Sequence, residues 1–276
     1  MRTLWLTFIA TLFFAACQEV PPTIPSPTVD GNRKVLVEEF SGAKCKPCAA
    51  AKADLDNLLA VYGENLIVVT MHTTAFPGLG DPYLDSRYDF RTPEGLEILE
   101  RHGKPLGIPT AYVNRRLFEG EPDRPLGRQQ WAGFVEQEIN RDPLMGLSIS
   151  TLIDDVTREL DVTVTMVPNS PINEEVRLTL MITENELYDK QLTDDGIDED
   201  FEHAHILRAI ITPTDGEPIA ADFTPGSVVE KKYTYRFPEE EDGWWVLNHC
   251  NVVAFATLGE GDALEVLQAD EVHLGD

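Results

Sequence analysis

Hydrophobic positions along the chain change period near residue 142. Before that point, short apolar runs alternate with stretches of helical period. Lys34–Phe40 (KVLVEEF) is apolar on both faces, as a central parallel strand should be. Ala49–Tyr62 sets Ala51, Leu55, Leu58, Leu59 and Tyr62 on one stripe and stops at Gly63, which predicts a helix. Leu66–His72 (LIVVTMH) predicts a second apolar strand, so the unit is βαβ with a parallel pair. Thr73–Lys104 is longer than a plain connection. Thr73–Arg91 is irregular and rich in Gly, Pro and Asp, and a helix follows with Thr92 as N-cap, Pro93 in its first turn and Gly103 after its end. Ala111–Asn114 predicts a short strand with a hairpin partner at Leu117–Phe118. Gly127–Asn140 predicts a helix carrying Trp131, Phe134, Val135 and Ile139 on one stripe. Asp142-Pro143 ends it, and we place a domain boundary there.

After that boundary the period is two. Glu159–Val167, Val176–Glu184, His205–Ile211, Val229–Phe237, Asn251–Leu258 and Leu264–Leu274 alternate, with a weaker run at Leu147–Leu152. About seven strands are the number expected of an immunoglobulin-like sandwich. The acidic stretches Thr193–Glu202 and Glu239–Asp242 read as a solvated loop and a hairpin tip. His203 and His205 flank Ala204 and read as a solvent-facing pair on a strand; we assign no metal site.

The first 16 residues lie outside the fold. Leu4–Phe14 is an apolar run too short to span a membrane permanently, and Ala15-Ala16-Cys17 follows it. This resembles the lipobox of bacterial lipoproteins, which implies residues 1–16 as signal peptide and Cys17 as the lipidated N-terminus. Residues 17–33 carry four prolines and form a tether able to lift the next domain ~40–50 Å from a membrane. The net charge is −26, which repels phosphate backbones and argues against nucleic acid as a partner. The expected partners are the membrane, through Cys17, and other exported proteins.

Candidate chemistry lies at Cys45-Lys46-Pro47-Cys48, between the first strand and the first helix. Disulfide exchange needs a thiolate, a resolving thiol and an accessible sulfur. A helix N-terminus with Lys44 and Lys46 beside it favours the thiolate. Cys45 is therefore the candidate nucleophile and Cys48 the resolving thiol. An exported protein meets an oxidising compartment, so the pair is expected as a disulfide at rest. Cys250 is left over and reads as a buried small hydrophobe. Three readings of the pair stand: redox-competent, structural, or half of a zinc site.

The strand, the CxxC and the helix together resemble thioredoxin. The resemblance implies that Glu39, six residues before Cys45, is a buried acid relaying protons near the resolving thiol. It also implies that Ile108-Pro109-Thr110 is a cis-proline segment that packs on the CxxC and binds a partner's backbone. Catalytic candidates are then Cys45, Cys48, Glu39 and Pro109, with Lys44, Lys46, Ile108 and Thr110 as substrate contacts. Lys44 stands where thioredoxins usually carry Trp, and the enlarged Thr73–Lys104 segment is able to cover the active face. No cofactor is expected.

Five segments together resemble the Omp-twenty-eight-related outer-membrane protein family: Val35–Cys48, Asp89–Gly95, Gly107–Arg115, His203–Ala209 and Cys250–Leu274. The resemblance implies an outer-membrane lipoprotein, periplasmic or surface-exposed. Its expected fold is an α/β thioredoxin-like domain, residues 34–142, followed by an all-β immunoglobulin-like sandwich domain, residues 143–276. Two functions remain open. One is thiol-disulfide exchange on exported proteins; the other is a surface interaction or adhesion lipoprotein with a structural CxxC disulfide.

Overall fold

The computed structural model describes residues 32–239, 244–259 and 265–275. The expected signal peptide, Cys17, the tether up to residue 31 and the acidic tip at residues 240–242 lie outside the described residues. The structure is mostly β-sheet with few helices.

The first unit follows its pattern. Strand β1 (Val35–Ser41), helix α1 (Lys46–Tyr62) and strand β2 (Leu66–His72) form a βαβ unit. β1 and β2 pair in parallel from Val35↔Leu66 to Ser41↔His72. Helix α2 (Pro93–His102) starts at Thr92, whose side chain accepts from Gly95 N at 3.1 Å. Strand β3 (Thr110–Val113) lies antiparallel to β1. Its hairpin partner is not Leu117–Phe118 but β4 (Leu126–Gly127). The apolar signal at Phe118 serves side-chain packing instead: its ring stacks 4.0 Å from Phe134 on helix α3 (Trp131–Ile139).

Ten strands follow: β5 (Met145–Asp154), β6 (Glu159–Pro168), β7 (Val176–Glu184), β8 (Leu187–Thr193), β9 (Gly196–His203), β10 (Ile206–Ile210), β11 (Glu217–Ile219), β12 (Val229–Arg236), β13 (Cys250–Leu258) and β14 (Val266–His273). The acidic stretch read as a loop is therefore a turn and a strand. β8 and β9 form a hairpin in register from Leu187↔His203 to Thr193↔Gly196. Gly196 adopts φ +117°, a conformation that favours glycine at such a turn. Nor is His203 solvent-facing: it is buried at the end of β9, and His205 has already left the strand with φ +56°.

Strands from both sides of the expected boundary at residue 142 belong to one sheet. Its order is β14-β13-β7-β10-β2-β1-β3-β4, with β11 on β7. The seam between the halves is β2 with β10, parallel, at Thr70↔Ile206. There Thr70 N donates to His205 O at 2.8 Å. One face of the sheet buries a core drawn from both halves: Leu36, Met71, Ile98 and Tyr112 pack with Met181, Leu207 and Phe255. On the other face, α1 and α3 cover the first half, with Leu55, Trp131 and Val135 inside. A three-stranded sheet, β12-β6-β5, covers the second half. Leu160, Val162, Val164 and Met166 of β6 face that core, as their alternation predicts.

Buried ions tie the ends together. Arg115 forks onto Glu38 with bonds of 2.7 and 2.6 Å and stacks 4.7 Å from Phe255. Glu138, fully buried, receives Arg33 at 3.1 Å, Asn114 at 2.9 Å and Arg116 at 2.6 Å. Burial alone would raise the Glu138 carboxyl, but the Asn114 and Arg116 hydrogen bonds and the Arg141 and Arg33 charges hold it below the usual range. Arg33 also donates to the carbonyls of Val266 and Leu267, and Val266 N donates to Asn114 O at 2.9 Å. Thus β14, at one end of the sheet order, returns to the start of β1 and the end of β3.

Removing Glu138 leaves the buried Arg33 guanidinium uncompensated. Glu138→Ala is expected to cost about 3–5 kcal/mol, read as a lower urea midpoint at unchanged slope.

Candidate functional site

The site lies where β1 hands over to α1. Cys45 is the N-cap residue of α1, and Pro47 sits in the first turn, where its missing N–H costs little. Cys45 and Cys48 are joined in a disulfide, with Cα atoms 5.4 Å apart. Neither is exposed: the residues retain 1% and 2% of their accessible surface.

Three segments close around them. The Ile108–Pro109 bond is cis, and Cys45 Sγ lies 3.7 Å from Ile108 O. The irregular segment after β2 passes over Gly42: Leu79 O accepts from Lys44 N at 2.9 Å. A Cβ on Gly42 would stand 2.4 Å from Leu79 O, so only glycine permits that approach. On the other flank lies the β8–β9 hairpin. Leu192 N donates to Ala43 O at 2.8 Å. The Gln191 side-chain amide donates to Gly42 O at 3.3 Å, Cys45 O at 3.1 Å and its neighbour Leu192 O at 3.1 Å.

The sequence-derived residues are therefore placed as follows. Glu39 is buried on β1, and Thr70 Oγ1 donates to its Oε2 at 2.9 Å. Lys44 Nζ lies 5.0 Å from the Tyr83 ring centroid, and Lys46 pairs with Asp194 of the hairpin at 3.0 Å. Thr110 is buried and donates its hydroxyl to Leu126 O at 3.0 Å, so this group faces the interior. Ile108 is half-buried and packs against the shared core. Pro109 and Pro47 line an open groove of about 430 Å³ with Gly127–Gln130.

Beneath Cys48 is a cavity of about 20 Å³, lined by Glu39, Ser41, Gln191, Phe201 and His203 among others. It is large enough for one water. Glu39 Oε1 and His203 Nε2 have no hydrogen-bond partner among the described residues. Burial pushes the Glu39 carboxyl up to about 7, against the hydrogen bond from Thr70. Burial also pushes His72 down to about 3, helped by nearby His203, and His203 itself down to about 4. The rings of His72 and His203 lie 5.9 Å apart, with Phe90 against both. Both imidazoles are neutral in the folded protein near neutral pH.

The local motif identifies Cys45, Cys48 and Glu39. It does not identify Gln191, Leu192, Phe201 or His203, which arrive from the far half of the chain. The available signal was Asp195-Gly196 between two runs of alternating residues, a hairpin pattern hidden by its acidity. Among the described residues no group of three or more His, Cys, Asp or Glu is placed to hold a metal ion.

The family model for outer membrane protein Omp28 matches residues 99–276. Among solved structures, HBP35 of Porphyromonas gingivalis is similar with TM-score 0.68 and 16% identity, over 90% of this chain and 77% of that one. Protein AGR_C_4864 from Agrobacterium tumefaciens is similar with TM-score 0.51 and 14% identity, over 90% of this chain and 96% of that one. At these identities the likeness concerns the fold. A domain of the outer membrane lipoprotein Omp28 from Porphyromonas gingivalis aligns with TM-score 0.33 and 15% identity, over 48% of this chain and 88% of that one. No curated protein matches the chain.

The buried carboxyl has a pH signature. Between about 4.5 and 7 the folded protein still holds the Glu39 proton that the unfolded chain has lost. The native state then binds more protons, so stability falls as pH rises through that window. Above it the accumulated cost is roughly 3 kcal/mol. Glu39→Gln is expected to exceed the wild type by that amount at pH 8 and to match it at pH 4, by urea unfolding. A gain independent of pH would contradict the assignment.

Proposed function

The chain belongs to the outer membrane protein Omp28 family, and on that premise we propose that it is a lipid-anchored interaction protein of the outer membrane in which the CxxC pair is a structural disulfide. Cys17 carries the anchor and the residues after it up to 31 form the tether, Arg33 being already fixed in the fold. The fold presented is a thioredoxin-like unit whose sheet continues into an immunoglobulin-like sandwich. The observation that supports the structural reading most is the burial of both cysteines under the Leu79 segment and the β8–β9 hairpin. An exchanging disulfide needs one sulfur open to attack.

A second reading, thiol-disulfide exchange on exported proteins, is favoured by a specific arrangement. Cis-Pro109 lies beside the open groove near Pro47, and Glu39 lies under Cys48 with Oε1 unpaired. In that reading Cys45 attacks, Cys48 resolves, Glu39 handles the proton, and Lys44, Lys46 and Ile108 border the bound substrate, with Thr110 anchoring the cis-Pro109 segment from the interior.

The two readings differ in reduction potential. Equilibration of the full chain against a thiol-disulfide buffer is expected to place Cys45–Cys48 below about −300 mV. A value between about −120 and −270 mV would favour the exchanger. For the anchor, Cys17→Ala is expected to release the protein from the membrane fraction, because one or more acyl chains supply most of the attachment. Retention of that variant in the membrane would contradict lipidation at Cys17.

A further inference from the structure

The β8–β9 hairpin lies where an incoming chain would have to approach the CxxC turn from the Cys48 side. Its contacts are of the kind a bound peptide makes. One main-chain N–H, from Leu192, bonds to Ala43 O. One side-chain amide, from Gln191, reaches the carbonyls of Gly42 and Cys45, the residues on either side of that contact. The underside of the hairpin supplies Phe201 and His203 to the cavity behind Cys48. We infer that the β8–β9 hairpin is a built-in, separable cover over the Cys45–Cys48 disulfide, and that its local opening sets how fast reductants or partner thiols reach the sulfurs.

Several features make the hairpin separable from the rest. It is a two-stranded sheet of its own, outside both larger sheets. Most of β9 is exposed, and a lone hairpin is marginal without packing. Its chain joins β7 at Glu184 and β10 at Ile206, two neighbouring points; Leu187, packed with Phe90 and Ile206, holds its base, so the part that opens is the tip from Gln191 to Asp198.

The contacts that close it are unequal. Lys46–Asp194 is exposed on both sides, and Lys190 reaches the exposed Asp85 at 2.6 Å, while its second partner, Glu199 at 2.8 Å, lies on the hairpin itself. Exposed pairs of this kind contribute little. Gln191 is buried at 2% exposure, so its amide bonds and the Leu192 N–H form the latch at the tip, while Asp189, which accepts from Tyr88 N at 2.8 Å, holds the hairpin nearer its base. Opening would leave Gly42 O, Ala43 O and Cys45 O to water and expose Cys48 beside the cavity. The inference holds whether the pair is structural or exchanging, because it concerns the rate of access and not the equilibrium potential.

The test is the rate at which tris(carboxyethyl)phosphine reduces the disulfide in the native protein. The phosphorus attacks a sulfur, the S–S bond breaks, and water then converts the adduct to phosphine oxide and two thiols, counted by alkylation and mass. Gln191→Ala removes the amide. Leu192→Pro removes the N–H that points to Ala43 and spares the β9 ladder, since that N–H faces away from it. Each is expected to raise the rate about tenfold or more, as loss of a buried hydrogen-bonded latch should. The increase should persist at low urea with little denaturant dependence, the mark of local opening. Glu202→Gln, on the exposed outer strand, should leave the rate unchanged. If Leu192→Pro does not fold, Gln191→Ala and Gln191→Glu carry the test; the latter sets a carboxylate against two carbonyl oxygens. Wild-type rates in the latch variants would overturn the inference. So would an increase that merely tracks lost global stability. A potential titration on the same proteins reports separately on the structural reading.

Discussion

The structure depends on one long-range pairing. β2 is buried along its whole length, and its outer edge carries main-chain groups that need partners. β10 supplies them, with Thr70 N bonded to His205 O and Ile206 opposite Thr70. The end of β2 is also the end of β1, where the CxxC helix begins. Because β10 starts there, the chain between β7 and β10 must pass over the CxxC. That chain is the β8–β9 hairpin. The seam that joins the halves therefore also places the segment that shields the disulfide.

The two sides of the CxxC turn differ as a result. Toward Pro47 and Pro109 the surface is open and grooved. Toward Gln191 it is covered, and a water-sized cavity with an unpaired Glu39 oxygen lies beneath. A carboxyl held near neutrality in such a place is a cost the fold carries, since Gln would sit there more cheaply at alkaline pH. Buried ions elsewhere act in the opposite sense: Glu138 is matched by several cations and a side-chain amide, and Glu38 by a forked Arg115. Glu138 holds Arg33, just before β1, against α3, and the bonds from Arg33 to main-chain carbonyls tie it to β14.

Local order was legible from residues alone. Thr92, Pro93 and Gly103 bound α2 through capping chemistry that acts within a few residues. Val176–Glu184 alternates and forms a strand with those limits. What no local pattern encodes is which strands meet. Thr70 and Ile206 carry nothing that names each other, so the shared sheet reads from sequence as two units. The same holds for the site: Cys45, Cys48 and Glu39 lie in one motif, whereas Gln191 and His203 reach it only through the seam. Acidity misled at Gly196–His203, because charged side chains fit the solvent side of an exposed strand as well as a loop.

The most direct test of the seam and its consequence is amide hydrogen exchange in the native protein, resolved at Thr70 and Leu192. Thr70 is expected to exchange only on global unfolding, because its N–H lies in the buried seam. Leu192 is expected to be protected but to exchange by a smaller, local opening. Exchange of Thr70 at the rate of an exposed amide would contradict the shared sheet, and the same result at Leu192 would contradict the closed cover over the disulfide.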